Sequence, residues 1–365
     1  MRGLLTLRRP RVHLIEGRSA DEVWRRAARM IRVRKNGVRQ RSRAGTTREL
    51  LHCCLHVRRP QERWAISREP AMNPAFALAE VVWIVMGRKD SAFLNFWNPA
   101  LRKFAGKGPA YYGAYGERLR FRFGVDQLRA AYEALAARPD SRQVALQIWD
   151  PAADLPLKAG HPREADIPCN LSSLLKVRRG RLEWVQVMRS NDLILGLPHN
   201  FIQFTMLQEL MAAWLGVKIG SYIHFSDSLH VYERQLGDLE IVRPRRIPPN
   251  RDTWSLNYRR TMSVFAELSD RMDGLRQPGL TEGRVRTLCD ARKLPPEAAN
   301  ILVIIGADAA RRHGHGVLAE QLARTCSNPP LRTLWTRWRA RQEDRHVKEH
   351  ASRALPRVRS RQLAR

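Results

Sequence analysis

Three observations predict an α+β protein with helices packed on a sheet and a further helical region at the C-terminal end. Strand-like and helix-like runs alternate from residue 13 to about 242. Two alternating runs, NLSSLLKV and RLEWVQVM, flank Arg179-Gly180, a tight-turn signal for a hairpin. Beyond a break at VRPRRIPPNRDTW, only helical patterns remain.

In chain order, Ser19 and Glu22 form a capping-box pattern that predicts a first helix over 20–34. RELLHCCLHV reads as a strand ending before Pro60. Asn73-Pro74 opens an apolar helix that stops at Gly87 and carries Glu80 in its middle. DQLRAAYEALAAR is a helix and RQVALQIW a strand. After the hairpin, Pro198 starts a long apolar helix, and SYIHFSDSLHVY returns as a strand. The organisation is therefore a catalytic-type domain over 13–242, a linker over 243–253, a helical region over 254–342 and a basic tail over 343–365, which is expected to be disordered.

Composition narrows the function. With 44% hydrophobic and 27% charged residues the chain is of globular type. No apolar run reaches the ~20 residues needed to span a bilayer, and the N-terminal segment is interrupted by arginines, so a cytoplasmic protein without membrane partners is expected. The five cysteines lack paired spacing, which argues against a disulfide framework and a zinc site; no metal is expected. A formal charge of +30 implies non-specific attraction to polyanions, including nucleic-acid contact through the basic tail.

The chemistry-bearing residues cluster in four short motifs. Pro168-Cys169 stands at a loop-to-strand junction, Arg189-Ser190-Asn191-Asp192 follows twenty residues on, and LGLPHN comes next. DSLHVY, with His230 and Tyr232 on one side of a strand, completes the set. A cysteine nucleophile needs nearby positive charge to ionise, and Arg189 is the candidate.

This ordered set resembles the thymidylate synthase family, which includes the nucleotide hydroxymethylases, over roughly residues 13–242. The resemblance implies a thymidylate-synthase-like sheet and one-carbon transfer from 5,10-methylenetetrahydrofolate to C5 of a pyrimidine deoxynucleotide. Thiolate addition at C6 makes C5 nucleophilic, so Cys169 is the implied nucleophile. By the same resemblance Glu80 and Tyr115 handle protons, with Tyr112 competing with Tyr115 for the role and a buried Glu80 carboxyl a plausible acid near neutrality. Arg43, Arg142, Arg189 and Ser190 hold the phosphate, His230 and Tyr232 the ribose, and Asn200 the base. Asp192 and Trp97 contact the folate. Arg142 reaches across a homodimer in the family, so a symmetric homodimer is implied.

Three departures bear on the product. Gln143 replaces the second arginine of a paired-arginine strand, Asn170 follows the cysteine where synthases carry histidine, and the closing C-terminal tail of the family is not recognisable. Methyl transfer giving dTMP is the first expectation, hydroxymethyl transfer the alternative, and an inactive scaffold that binds nucleic acid the third. Admission of water to the last intermediate separates the first two.

Asn200 sets the base expectation. A carboxamide can donate to O4 and accept from N3–H of uracil, whereas the similar cytosine-specific hydroxymethylases carry aspartate there. The protein should bind dUMP more tightly than dCMP, and Asn200→Asp should shift preference towards dCMP. Calorimetric titration with both nucleotides checks this; equal affinities in the unmodified protein would overturn it.

Overall fold

The computed structural model describes residues 12–42, 44–156, 160–164, 166–237, 239, 241 and 247–354, with backbone alone for Lys35 and 345–354. The chain opens with β1 (His13–Gly17) and α1 (Ala20–Arg32). The Ser19 side chain caps α1 by accepting from the Glu22 N–H at 3.2 Å, while Glu22 turns back to the Arg18 N–H at 2.8 Å. An exposed strand β2 (Val38–Ser42) pairs with the long β3 (Gly45–Val57).

Asn73 caps α2 (Pro74–Val85) through the N–H groups of Ala75 and Phe76 at 2.9 and 3.3 Å. Next come α3 (Ser91–Trp97) and two short turns, α4 (Arg102–Ala105) and α5 (Tyr115–Glu117). They lead to α6 (Gln127–Ala137), capped by Asp126. The predicted strand RQVALQIW is cut to β4 (Ala145–Gln147), followed by α7 (Pro151–Asp154). Strands β5 (Asn170–Arg178) and β6 (Arg181–Met188) meet at Arg179-Gly180, both with positive φ, 51° and 67°, as a two-residue hairpin turn requires. The short β7 (Asn191–Asp192) precedes α8 (Leu197–Trp214), β8 (Lys218–Tyr232) and α9 (Glu233–Leu236).

These strands form one eight-stranded mixed sheet in the order β1-β3-β8-β6-β5-β4, with β2 on β3 and β7 on β8. Helices α1 and α8 cover one face. On the other face the register builds two rows across six strands. One runs Leu14, Cys54, Phe225, Val187, Ser172, Gln147, and the other Glu16, His56, Ile223, Val185, Leu174, Ala145. None of these residues is buried.

The remaining helices are α10 (Tyr258–Leu275), α11 (Glu282–Leu288), α12 (Pro296–Arg312), α13 (Gly316–Thr325) and α14 (Pro329–Ala354). Helix α14 thus runs past residue 342, where the sequence reading ended the helical region; residues 355–365 lie outside the described residues. Helices α10, α12 and α14 all pack on α2, whose side chains are buried on nearly every side. This explains an apolar pattern with no polar face: α2 lies between the sheet-covering α8 and the C-terminal helices.

Polar ties reinforce this packing. Arg88 pairs with Asp90 and with Asp273 of α10, and the Trp214 indole donates to Thr261 at 3.0 Å. The segment leading into α10 is also held. Asp252 accepts from the amides of Asn300 and Asn328, each at 2.6 Å. The backbone N–H of Trp254 donates to Glu209, itself paired with buried Arg63.

Burial pushes the Asp252 carboxyl up to about 6, opposed by the two amides. A carboxyl whose pKa is raised on folding contributes stability that is full below its unfolded value and lost as pH rises through the folded one. Between pH 4 and 7 that loss is at most about 3 kcal/mol. The stability difference between the native protein and Asp252→Ala, measured by urea unfolding, should therefore shrink as pH rises from 4 to 7. A difference that stays constant or grows would refute this assignment.

Candidate active site

The β5–β6 hairpin places the cysteine. Counting outward from the closing pair Arg178↔Arg181, the register runs evenly to Ser172↔Val187, then shifts by one at a bulge to Asn170↔Met188. Continued without the bulge, the ladder would set Asn170 opposite Arg189. With it, Cys169 takes that place, and the Arg189 N–H donates to the Cys169 carbonyl at 3.0 Å. The guanidinium then folds back on the same loop. Its Nε donates to the Pro168 carbonyl and its Nη2 to that of Ile167, both at 3.0 Å, with the charge 5.6 Å from the Trp149 ring centre.

The next residues line up along β8. Asp192 pairs with His230 in parallel register, and the Leu193 N–H donates to the His230 carbonyl at 2.8 Å. Ser190 Oγ lies 3.4 Å from His230 Nδ1, and the His230 and Tyr232 rings meet edge-on at 5.7 Å. Asp192 Oδ1 accepts from the N–H groups of Ile194 and Leu195 at 2.7 and 2.8 Å. Asn191 turns inward and donates to His224 Nε2 at 2.8 Å. Burial lowers this imidazole to about 3, so it is neutral and its Nδ1–H is left for Tyr222, 3.0 Å away.

Beside the thiol lies a third group. Burial, reinforced by Cys169 and Asp166, pushes the Tyr115 phenol well above its ordinary range; Asn170 opposes the rise and Glu80 adds to it. Tyr115 of α5 thus lies within electrostatic reach of Glu80 on α2 and of Cys169 and Asn170 at the start of β5. Gly116 permits this approach: a methyl on it would stand 2.4 Å from the Ile84 carbonyl oxygen of α2. Asn200 is buried in the first turn of α8, its amide donating to Gln203 at 3.1 Å.

Asn170 is fully buried, and its orientation is set from a distance. The Trp184 indole can only donate, at 3.3 Å, to Gln186 Oε1, which also accepts from Ser173 at 2.6 Å. Gln186 Nε2 must then face Asn170 Oδ1, at 2.9 Å. Asn170 Nδ2 is left turned away from this chain of bonds, and among the described residues no group meets it at full hydrogen-bond geometry.

The sequence reading passed over His199. Its Nδ1 lies 2.5 Å from Glu80 Oε2, joining the first turn of α8 to the middle of α2. Its place inside LGLPHN was the only available signal. Glu80 is accordingly a paired group and not an isolated carboxyl among apolar neighbours.

Other expected residues lie apart. Trp97 is 1% exposed, packed edge-on against Phe96, and its carbonyl accepts from Arg312 at 2.5 Å. The ring that the sequence reading offered to folate is thus buried, and Arg312 of α12 holds its backbone. Arg142 is exposed on the loop between α6 and β4, with Gln143 beside it. Arg43 lies outside the described residues. Among the described residues no cluster of His, Cys, Asp and Glu suits a metal ion, and no helix is long and apolar enough to cross a membrane.

A family model described as thymidylate synthase matches residues 27–270. The chain belongs to the thymidylate synthase family. It is similar to the deoxyuridylate hydroxymethyltransferase of Bacillus phage SP01, 38% identical over 196 residues, or 51% of this chain and 50% of that protein. It is also similar to the deoxyuridylate hydroxymethyltransferase of Pseudomonas phage M6, 36% identical over 180 residues, covering 49% and 50%. The thymidylate synthase of Symbiobacterium thermophilum is 28% identical over 191 residues, covering 48% and 65%. The chain spans about half the length of the first two relatives. The matched segment ends within α10, so the helices wrapped around α2 lie mostly beyond the family match.

The close approach at Gly116 gives a structural test. Gly116→Ala should force α5 off α2 and cost about 1–3 kcal/mol, while Gly237→Ala, whose added methyl meets nothing within 4 Å, should be near neutral. Denaturant midpoints of the two variants check this, and equal midpoints would contradict it.

Proposed function

We propose that this chain transfers a one-carbon unit from 5,10-methylenetetrahydrofolate to C5 of dUMP and releases the hydroxymethyl nucleotide. The observation that carries this reading is Cys169 set opposite Arg189 by the hairpin bulge, with Tyr115 within electrostatic reach of the thiol and of Glu80. A thiolate needs positive charge close by, and the Arg189 guanidinium is anchored to the two carbonyls that precede the cysteine.

In this reading Cys169 adds to C6 of the pyrimidine and C5 becomes the nucleophile. Arg189 and Ser190 take the phosphate together with Arg43, while Arg142, exposed on its loop, reaches the partner subunit of a homodimer. The open face of the sheet, with Phe225, Val187, Ile223, Val185 and Leu174 uncovered by helices, is the surface on which two copies would join. His230 and Tyr232 take the ribose and Asn200 the base. Glu80 and Tyr115 move protons at O4 and C5.

Folate is the second substrate. Asp192 suits it, because its Oδ1 accepts from backbone N–H groups while among the described residues no hydrogen bond engages Oδ2, which can accept from a pterin N–H. Trp97, buried against Phe96, serves packing.

The two phage relatives favour the hydroxymethyl product over the methyl product that the sequence reading ranked first. Methyl transfer is the second reading, favoured by the similarity to the bacterial synthase. A chain that only binds nucleic acid would have no use for the Cys169–Arg189 arrangement.

Incubation with dUMP and 5,10-methylenetetrahydrofolate should give a nucleotide product with the mass of hydroxymethyl-dUMP. 5-Fluoro-dUMP with the folate should leave a covalent adduct on Cys169. Cys169→Ala should stay folded and lose both turnover and adduct. An active alanine variant would sink the mechanism, and a product with the mass of dTMP would decide for the second reading.

A further inference from the structure

Glu80 and His199 come from helices that meet only in the folded protein, and they form a carboxylate–imidazole pair at 2.5 Å. The carboxylate accepts the proton carried on Nδ1, and in the neutral tautomer Nε2 then keeps its lone pair. No side chain or backbone group among the described residues hydrogen-bonds Nε2. The ring is tilted against Phe76 at 5.1 Å, which holds its plane. The His199 side chain is 12% exposed and that of Glu80 15%, so the pair is sheltered but open on one side. His199 directly precedes Asn200 in the first turn of α8, and Glu80 and Cys169 both lie within electrostatic reach of Tyr115.

A base of this kind has no task in the last step of methyl transfer, where the exocyclic methylene receives hydride. It has one in hydration. We propose that His199, oriented and charge-compensated by Glu80, is the general base that activates water in the final step and commits the reaction to the hydroxymethyl product. This rests on the hydroxymethyl reading above and assigns the residue that would determine it.

The step balances without an oxidant. One O–H bond of water breaks and its proton goes to His199 Nε2, while the oxygen bonds the exocyclic carbon on C5. The exocyclic double-bond pair moves onto the ring as an enolate at O4. The enolate then restores the C5–C6 double bond and expels Cys169 as thiolate, which takes back the proton. A neutral imidazole beside a carboxylate suits this, because the imidazolium that forms is paired at once.

The test uses the full-length protein with dUMP and 5,10-methylenetetrahydrofolate, comparing the native chain with His199→Phe and His199→Gln. Phenylalanine keeps the ring contact with Phe76, and glutamine keeps a donor for Glu80 without a base. If one variant fails to fold, the other still answers. The 5-fluoro-dUMP adduct reports folding and thiol addition and should form in both. Hydroxymethyl product should fall by about 10²-fold. Added β-mercaptoethanol should then capture the exocyclic methylene as a thioether, read by mass. Hydroxymethyl formation at the native rate in either folded variant overturns the proposal. Release of dTMP alone by the native protein also overturns it while leaving one-carbon transfer intact. A native protein that forms neither adduct nor product would instead refute the functional reading on which the proposal rests.

Discussion

The bulge between Asn170 and Ser172 shifts the β5–β6 ladder by one residue, and the site depends on that shift. In a strand a one-residue slip exchanges the two faces. Here it brings Cys169 opposite Arg189, while Asn170 and Ser173, three residues apart, both turn into the buried layer. The inward Asn170 is then locked by Gln186 and Trp184, so its free amide hydrogens have one permitted direction. A histidine, as the synthases carry after the cysteine, would meet this acceptor and donor pattern differently. The departure from the family pattern at Asn170 is thus matched by a local network built for a carboxamide.

The second constraint is the enclosure of α2. An apolar helix with a single carboxylate in its middle is stable only if every face is covered and the carboxylate is paired. Helix α8 covers one side and supplies His199 to Glu80; α10, α12 and α14 cover the others. Arginines of α14 hold the chain just before α2, Arg337 at the Ile66 carbonyl and Glu69, and Arg341 at the Ala71 carbonyl. These arginines serve the fold. Arg88, Arg118, Arg311 and Arg312 are likewise bound to carboxylates or carbonyls inside it.

Much of this was legible in the sequence because it is local. The Ser19 and Asn73 caps, the Arg179-Gly180 turn and the apolar runs of α2, α8 and α12 depend on neighbours a few residues away. The interval from Cys169 to Arg189 is also local, since it is the length of one hairpin. Strand β2 was not legible: VRQRS has no buried residue, and it is a strand only because β3 offers it an edge. The burial of Trp97 was equally hidden, since NFWNP reads the same on a surface as in a core.

The sequence by itself determined the elements, the family and the order of the motifs, because backbone propensity, capping and hairpin length are fixed by residues close together in the chain. Only the tertiary structure decided which of those motifs meet. Glu80 and His199 stand 119 positions apart, and Trp97 and Arg312 stand 215 apart. Neither contact is implied by any local pattern. Each exists because α2 must bury all its faces at once, and the helices that complete this packing carry their polar residues to fixed places around it.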